Sequence, residues 1–141
     1  MAEELLIRDS TPADLSALEE IFRRAGLANE EDRAWILANP QHVALDERPI
    51  LEGRSRVATV EGRAVGFATL VGNELEDLFV DPDWMRRGIA SALVRDVATS
   101  VERIDVTANT HAQAFYEAAG FVHDGTVETP GGPAYRMHLD C

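Results

Sequence analysis

Between residues 56 and 80 three strand-like runs follow one another with almost nothing between them. Arg56–Glu61 alternates, Gly62-Arg63 turns the chain, and Ala64–Val71 runs back. Gly72-Asn73 turns it again, and Glu74–Val80 forms a third run that Asp81-Pro82 halts. Short glycine-bearing turns between such runs are hairpin signals, so the segment predicts a β-meander. A helix rich in Ala, Leu and Val follows from about Arg87 to Ser100. Upstream, residues 4–8 read as a strand, and Ser10-Thr11-Pro12-Ala13-Asp14 reads as a helix start with a capping hydroxyl and an early proline. The apolar stripe Leu15, Leu18, Ile21, Phe22 predicts a helix ending at Gly26. A second helix is expected over Glu30–Ala38, stopping before Asn39-Pro40, and 41–55 reads as irregular. Downstream come a strand at Ile104–Thr107, a helix at Asn109–Ala119 closed by Gly120, and strands at Phe121–Val127 and Ala134–Leu139. The order β, α, α, βββ, α, β, α, ββ predicts an α/β fold with a mixed sheet of about seven strands and about four helices. The chain of 141 residues fits one domain spanning 1–141, with no repeat or linker.

Composition narrows the chemistry. Asp and Glu number 25 against 13 basic residues, giving a net charge of −12. Such a chain repels phosphate backbones and anionic lipid, so neither nucleic acid nor membrane is expected as a partner, and cationic small molecules are. Every basic residue is arginine, and the absence of lysine removes Schiff-base, pyridoxal-phosphate and P-loop chemistry. The only cysteine is Cys141, and His42, His111, His123 and His138 form no familiar ligand pair, so no metal is expected. The first residues lack a basic start with an apolar run, and no stretch approaches the ~18 apolar residues of a membrane span. A cytoplasmic protein is expected.

The chemistry concentrates in residues 74–94, where a strand ends at a proline, a loop carries Arg86, Arg87 and Gly88, and a helix begins. The first turn of a helix presents unpaired N–H groups with partial positive charge. Gly88 admits a ligand without a side chain in the way. Together with the arginines this is a phosphate or pyrophosphate cradle, or else an ordinary turn with two solvated arginines. No GxGxxG is present, so a dinucleotide site of the Rossmann kind is not supported.

Met85-Arg86-Arg87-Gly88-Ile89-Ala90 resembles the pyrophosphate loop, Gln/Arg-x-x-Gly-x-Gly/Ala, of the GCN5-related N-acetyltransferases (the GNAT superfamily), with Met85 departing at the first position. Asn109-Thr-His-Ala112-Gln-Ala-Phe115-Tyr116-Glu-Ala-Ala-Gly120-Phe121 resembles the family's second motif at all six defining positions. The resemblance spans roughly residues 56–139 and implies a GNAT-like single domain that uses acetyl-CoA as acetyl donor and needs no metal.

It implies coenzyme A contacts from Leu78, Phe79 and Val80 on the strand, and from Met85, Arg86, Arg87, Gly88, Ile89, Ala90 and Ser91 at the helix start. Asn109, Phe115 and Tyr116 would contribute from downstream. By spacing, Ala112, Phe115, Tyr116 and Ala119 share one helix face, where Tyr116 reads as a core aromatic. The resemblance makes it the proton donor to the leaving thiolate. Asn109 reads as a helix N-cap, and the resemblance gives it a polar contact to coenzyme A. By alternation Glu74 and Glu76 share a face with Leu78 and Val80, so a catalytic base is expected at Glu76, with Glu74 second; a pair of solvated glutamates is the alternative. His111 and His123 are further alternatives, and Trp35 either walls an acceptor pocket or only packs.

The expected reaction is direct attack of an amine on the thioester with both substrates bound. The acceptor stays open among small amines, amino acids, antibiotics and peptide N-termini, its pocket drawn from the first helices and the 41–55 segment. Homodimers are common in the family. The competing reading is a catalytically silent acyl-CoA-binding sensor or interaction module, which needs neither Tyr116 nor a cleft carboxylate.

Overall fold

The computed structural model describes residues 4–28, 30–39 and 44–141. β1 (Leu5–Asp9) leads through a 3-10 turn (Pro12–Asp14) into α1 (Leu15–Ala28), α2 (Glu30–Ala38) and the single turn α3 (Arg48–Leu51). The meander is β2 (Ser55–Val60), β3 (Arg63–Val71) and β4 (Glu74–Val80). A 3-10 turn (Pro82–Trp84) precedes α4 (Ile89–Ala98) and β5 (Arg103–Asn109). A further 3-10 turn (Thr110–Ala112) precedes α5 (Gln113–Ala118), and β6 (Val122–Thr129) and β7 (Gly132–Asp140) close the chain as a hairpin. The expected Asn39-Pro40 boundary reaches Pro40, which lies outside the described residues, as do residues 1–3, 29 and 41–43, including His42.

The strands form one mixed sheet in the order β1-β2-β3-β4-β5-β7-β6. Every neighbouring pair is antiparallel except β4 and β5, which run parallel and pair only at Glu74 opposite Asp105. From that point β4 and β5 part, and the sheet opens into a cleft. The closed end is tied by Asp105 N–H donating to the Asn73 carbonyl (2.9 Å) and by the Asn73 amide donating to the Asp105 carboxylate (2.8 Å).

Each sheet face has its own core. α4 and α5 cover one, where Val65, Ala68, Leu75, Leu93, Ile104 and Val106 are buried together. α1 and α3 cover the other, packing Leu18, Ile21 and Ile50 on Val57 and Phe67. α4 sits directly on β3 because position 66 is glycine: a Cβ there would lie 3.0 Å from the Phe79 carbonyl oxygen and 3.2 Å from Ile89 Cγ2. Arginine pairs tie the elements together: Arg8 grips Asp14 with two 2.8 Å bonds, and Arg56 joins β2 to Asp96 of α4 at 2.7 Å.

Several boundaries depart from the sequence reading, each for a local reason. α1 runs past Gly26, whose missing side chain instead admits α2: a Cβ there would be 3.4 Å from Ile36 Cδ1. Residues 41–55 were expected to be irregular, yet 48–51 form α3, since Pro49 suits a first helical turn and Ile50 buries itself under α1. Among the described residues the helices number five, α3 being the addition to those read from the sequence. The fourth helix starts at Ile89, not Arg87, because Arg86 and Gly88 have positive φ (64° and 78°). The expected 109–119 helix shortens to 113–118 because pairing with β7 keeps β5 extended as far as Asn109, opposite Ala134.

Candidate functional site

The segment after β4 is anchored before it does anything else. Asp81, with its side chain 5% exposed, accepts two 2.9 Å hydrogen bonds from Arg24 of α1 and caps the following turn by accepting from the Asp83 N–H (2.9 Å). Arg24 also reaches Asp83 at 3.1 Å. The guanidinium thus fixes where β4 ends and where the loop to α4 begins. In that loop Met85 and Arg86 are exposed, and Arg87 lies over the Trp84 ring at 4.6 Å. Gly88 takes the left-handed conformation that glycine tolerates, and nothing lies within 4 Å of where its Cβ would be. The start of α4, where first-turn N–H groups have no acceptor within the helix, therefore borders open space, as a bound phosphate requires.

A cavity of about 310 Å³ occupies that space. Met85, Arg86, Gly88, Ile89, Ala90 and Ser91 line it from the loop and first turn, Val80 and Trp84 from the end of β4, and Phe115 from α5. The two motifs, separated in sequence, meet here. Leu78 packs into the core beneath α4, and Phe79 points to the opposite face, edge-on to Phe22 (5.0 Å between ring centres). Asn109 is exposed at the end of β5 and holds the N-cap position of the 3-10 turn with an extended backbone, but its side chain makes no capping bond. Tyr116 is buried at the rear of the same region, edge-on to Phe115 (5.2 Å) and Phe121 (5.1 Å). Burial pushes its hydroxyl up to about 12, so it keeps its proton throughout the physiological range.

A second, larger cavity of about 690 Å³ lies on the opposite face of the sheet. α1 and α2 wall it with Phe22, Leu27, Ile36 and Leu37, and Leu45 closes it from the segment before α3. Glu19, Glu20 and Glu47 line it as well, and Arg23, the one arginine among the described lining residues, is paired with Glu20 at 2.6 Å. Through Phe22 this cavity abuts Phe79, so the open end of β4 separates two cavities.

The carboxylates of β4 fall where simple alternation does not put them. The register with β3 shifts between Thr69 and Leu70, pairing Leu70 with Leu75 but Thr69 with Asp77. Glu76 is left over as an exposed bulge residue, and Leu75 and Leu78 pack into the same core. Glu74 therefore does not share a face with Leu78 and Val80. Both its oxygens accept from Arg136 of β7, at 2.9 and 3.0 Å, and Arg136 also donates to the Thr107 hydroxyl at 2.7 Å. Sequence reasoning passed over Asp77, which follows the bulge and faces the α1 side with Phe79, while the bulge turns Glu74 onto that same side. Asp77 is largely buried there, beneath Thr69, whose hydroxyl is 2.7 Å from that of Ser55. A one-residue bulge leaves no mark in a polar run such as Glu-Leu-Glu-Asp, so alternation alone had no means of finding it.

Away from the cleft, His111 is exposed in the turn before α5, and the His123 ring stands edge-on to Tyr135 (4.9 Å). Trp35 packs toward the β6–β7 turn, where a Cβ on Gly131 would lie 3.8 Å from its ring. Among the described residues no group of three His, Cys, Asp or Glu is placed to hold a metal ion, and no helix is long and apolar enough to cross a membrane.

Residues 33–140 match the Acetyltransferase (GNAT) domain family. The chain is 31% identical over 123 residues to the uncharacterized N-acetyltransferase YafP of Escherichia coli K12, covering 82% of this chain and 79% of that one. It superposes on a GCN5-related N-acetyltransferase from Rhodopseudomonas palustris with a TM-score of 0.76 at 26% identity, covering 100% of this chain and 99% of the other. PaiA N-acetyltransferase from Thermoplasma acidophilum, solved in complex with coenzyme A, shares the fold with a TM-score of 0.66 at 18% identity, over 98% of this chain and 99% of that one.

Proposed function

The chain belongs to the GNAT acetyltransferase family and is an N-acetyltransferase by family and fold, and from that premise we propose that it moves an acetyl group from acetyl-CoA directly to an amine. The observation that carries this is the pair of cavities on either side of the open end of β4. One is walled by the helix-start loop that suits a pyrophosphate, and the other is apolar with an acidic lining. Two substrates entering from opposite faces meet at one strand, which favours direct transfer over the silent-binder alternative.

In this reading residues 1–141 act as one cytoplasmic catalytic domain. The loop from Met85 to Ser91 holds the pyrophosphate, mainly through backbone N–H groups, with Arg86 adding charge. Arg87 and Asn109 serve at its margin, and Leu78 and Phe115 brace the rest of coenzyme A. Backbone N–H groups near Phe79 and Val80 receive the acetyl oxygen as it gains charge. A carboxylate on β4 relieves the amine of a proton, the sequence's candidates there being Glu76 and Glu74. Tyr116, which stays protonated, gives a proton to the departing thiolate. The acceptor is a cationic amine with an apolar body, matched to the Phe22–Ile36–Leu45 walls and the glutamates of the larger cavity.

The test is a thermal melt with acetyl-CoA followed by an amine screen that reads free thiol release. Ligand at ~100 times its dissociation constant adds about 2.7 kcal/mol to stability. Gly88→Val removes that ligand-induced gain; the variant's own melt also falls, since valine is strained at this φ. A wild-type melt that ignores saturating acetyl-CoA refutes the reading.

A further inference from the structure

We infer that Asp77 is the group that takes the proton from the acceptor's ammonium, an assignment that rests on the acetyl-transfer reading above. Three carboxylates stand on β4, and their surroundings separate them. Glu74 has both oxygens engaged by Arg136 at the closed end of the cleft, where the guanidinium joins β4 to β7. Its lone pairs are committed to holding the two half-sheets together. Glu76 is the extra residue of the bulge and is exposed to water. Asp77 alone combines burial with a position on the open stretch of the strand.

The direction follows from the register. Asp77 pairs with Thr69 and lies two residues before Phe79, so both side chains project to the α1 face. There Phe79 meets Phe22, a wall of the larger cavity. Leu45 and Glu47 line the same cavity on either side of Asp46, whose charge acts on Asp77. An amine seated against Phe22 and Leu45 thus has two β4 carboxylates on its side of the sheet, and Asp77 is the one nearer to where the strand opens, Glu74 being held by Arg136 at the closed end.

The environment suits a base that must work near neutrality. Burial pushes the Asp77 carboxyl up to about 6; a hydrogen bond with Thr69 opposes the rise, and the charges of Glu76 and Asp46 add to it. Behind it the Thr69 and Ser55 hydroxyls meet at 2.7 Å, both fully buried, so the Thr69 side chain is held in place.

The step balances. The ammonium gives one proton to the Asp77 carboxylate, which passes it to solvent. The freed nitrogen lone pair forms the N–C bond to the acetyl carbon, and the C–S pair leaves on sulfur. The thiolate gains one proton and the new amide nitrogen loses one. Net, an ammonium and a thioester become an amide, a thiol and one proton.

The experiment compares wild type, Asp77→Asn and Glu76→Gln in two readouts: the melt shift with acetyl-CoA, and kcat/KM toward a panel of apolar primary amines from pH 5 to 9. Asp77→Asn is expected to keep the acetyl-CoA shift and the KM for acetyl-CoA. It should lose ~100-fold or more in amine kcat/KM at pH 7, the range of a lost general base. Wild type should show an acid limb near pH 6 that the variant lacks. Loss of the acetyl-CoA shift in wild type refutes the family-based reading itself. An intact shift overturns only the assignment if Asp77→Asn keeps full turnover and the same acid limb, if Glu76→Gln loses more than Asp77→Asn, or if wild type acetylates none of the amines.

Discussion

Replacing Gly66 by alanine probes how tightly the cofactor-side helix is seated on the sheet. The added methyl would stand 3.0 Å from the Phe79 carbonyl oxygen, 3.2 Å from Ile89 Cγ2 and 3.4 Å from Leu93 Cδ1. The first neighbour is backbone inside the β3–β4 ladder and cannot swing away. The other two belong to α4, so the helix must back off by a few tenths of an ångström at its first turn, where the phosphates are expected. Overpacking of this kind costs about 1–3 kcal/mol. For a chain near this size that lowers Tm by roughly 3–9 °C. The acetyl-CoA shift should shrink with it, because Ile89 opens the helix that lines the smaller cavity. Gly125→Ala is the control: β6 leaves nothing within 4 Å of that Cβ, and its melt should hold or rise. Calorimetry of the two variants with and without acetyl-CoA decides the matter. A Gly66→Ala melt within 1 °C of wild type, or an equal fall in Gly125→Ala, would show that α4 is not seated as described.

Other outcomes follow from the same geometry. Tyr116→Phe keeps the ring between Phe115 and Phe121 and removes only the hydroxyl, so kcat should fall by ~100-fold or less with KM for acetyl-CoA unchanged; normal turnover makes Tyr116 a packing residue. The Asp77 carboxyl lies at about 6 in the fold against a reference of 3.8, so its charged form is disfavoured by folding and its contribution to stability is lost as pH rises through about 6. Asp77→Asn should therefore melt above wild type at pH 8, with the gap closing by pH 4, and a constant gap refutes the burial argument. Acceptor kcat/KM should fall as salt shortens the screening length, and a rate that climbs with salt excludes a cationic acceptor.

Much of this was readable from the chain. The meander boundaries at Gly72-Asn73 and Asp81-Pro82 were visible because turn residues act locally, and α2 was bounded by the residues before Asn39. The helix-start loop stood out because a strand end, two arginines and a glycine fall within a few residues. What escaped depends on contacts between distant segments. α3 exists because Ile50 finds a place beneath α1, and β5 extends to Asn109 because β7 pairs with it. The bulge at Glu76 reverses the facing of every β4 side chain before it, and only the partner strand reveals it. Arg24 offered no signal at all, since its partners Asp81 and Asp83 lie nearly sixty residues away.

Three clamps that tie the fold together, Arg24 on Asp81, Arg56 on Asp96 and Arg136 on Glu74, are all guanidinium groups, and among 13 basic residues there is no lysine. A lysine ε-amine sheds its proton often enough to react with an activated thioester, and each such event would erase one positive charge. A guanidinium stays protonated and offers no lone pair to a carbonyl carbon. The ion pairs that shape this protein are therefore inert toward an activated thioester, and its side chains offer no amine for self-acylation.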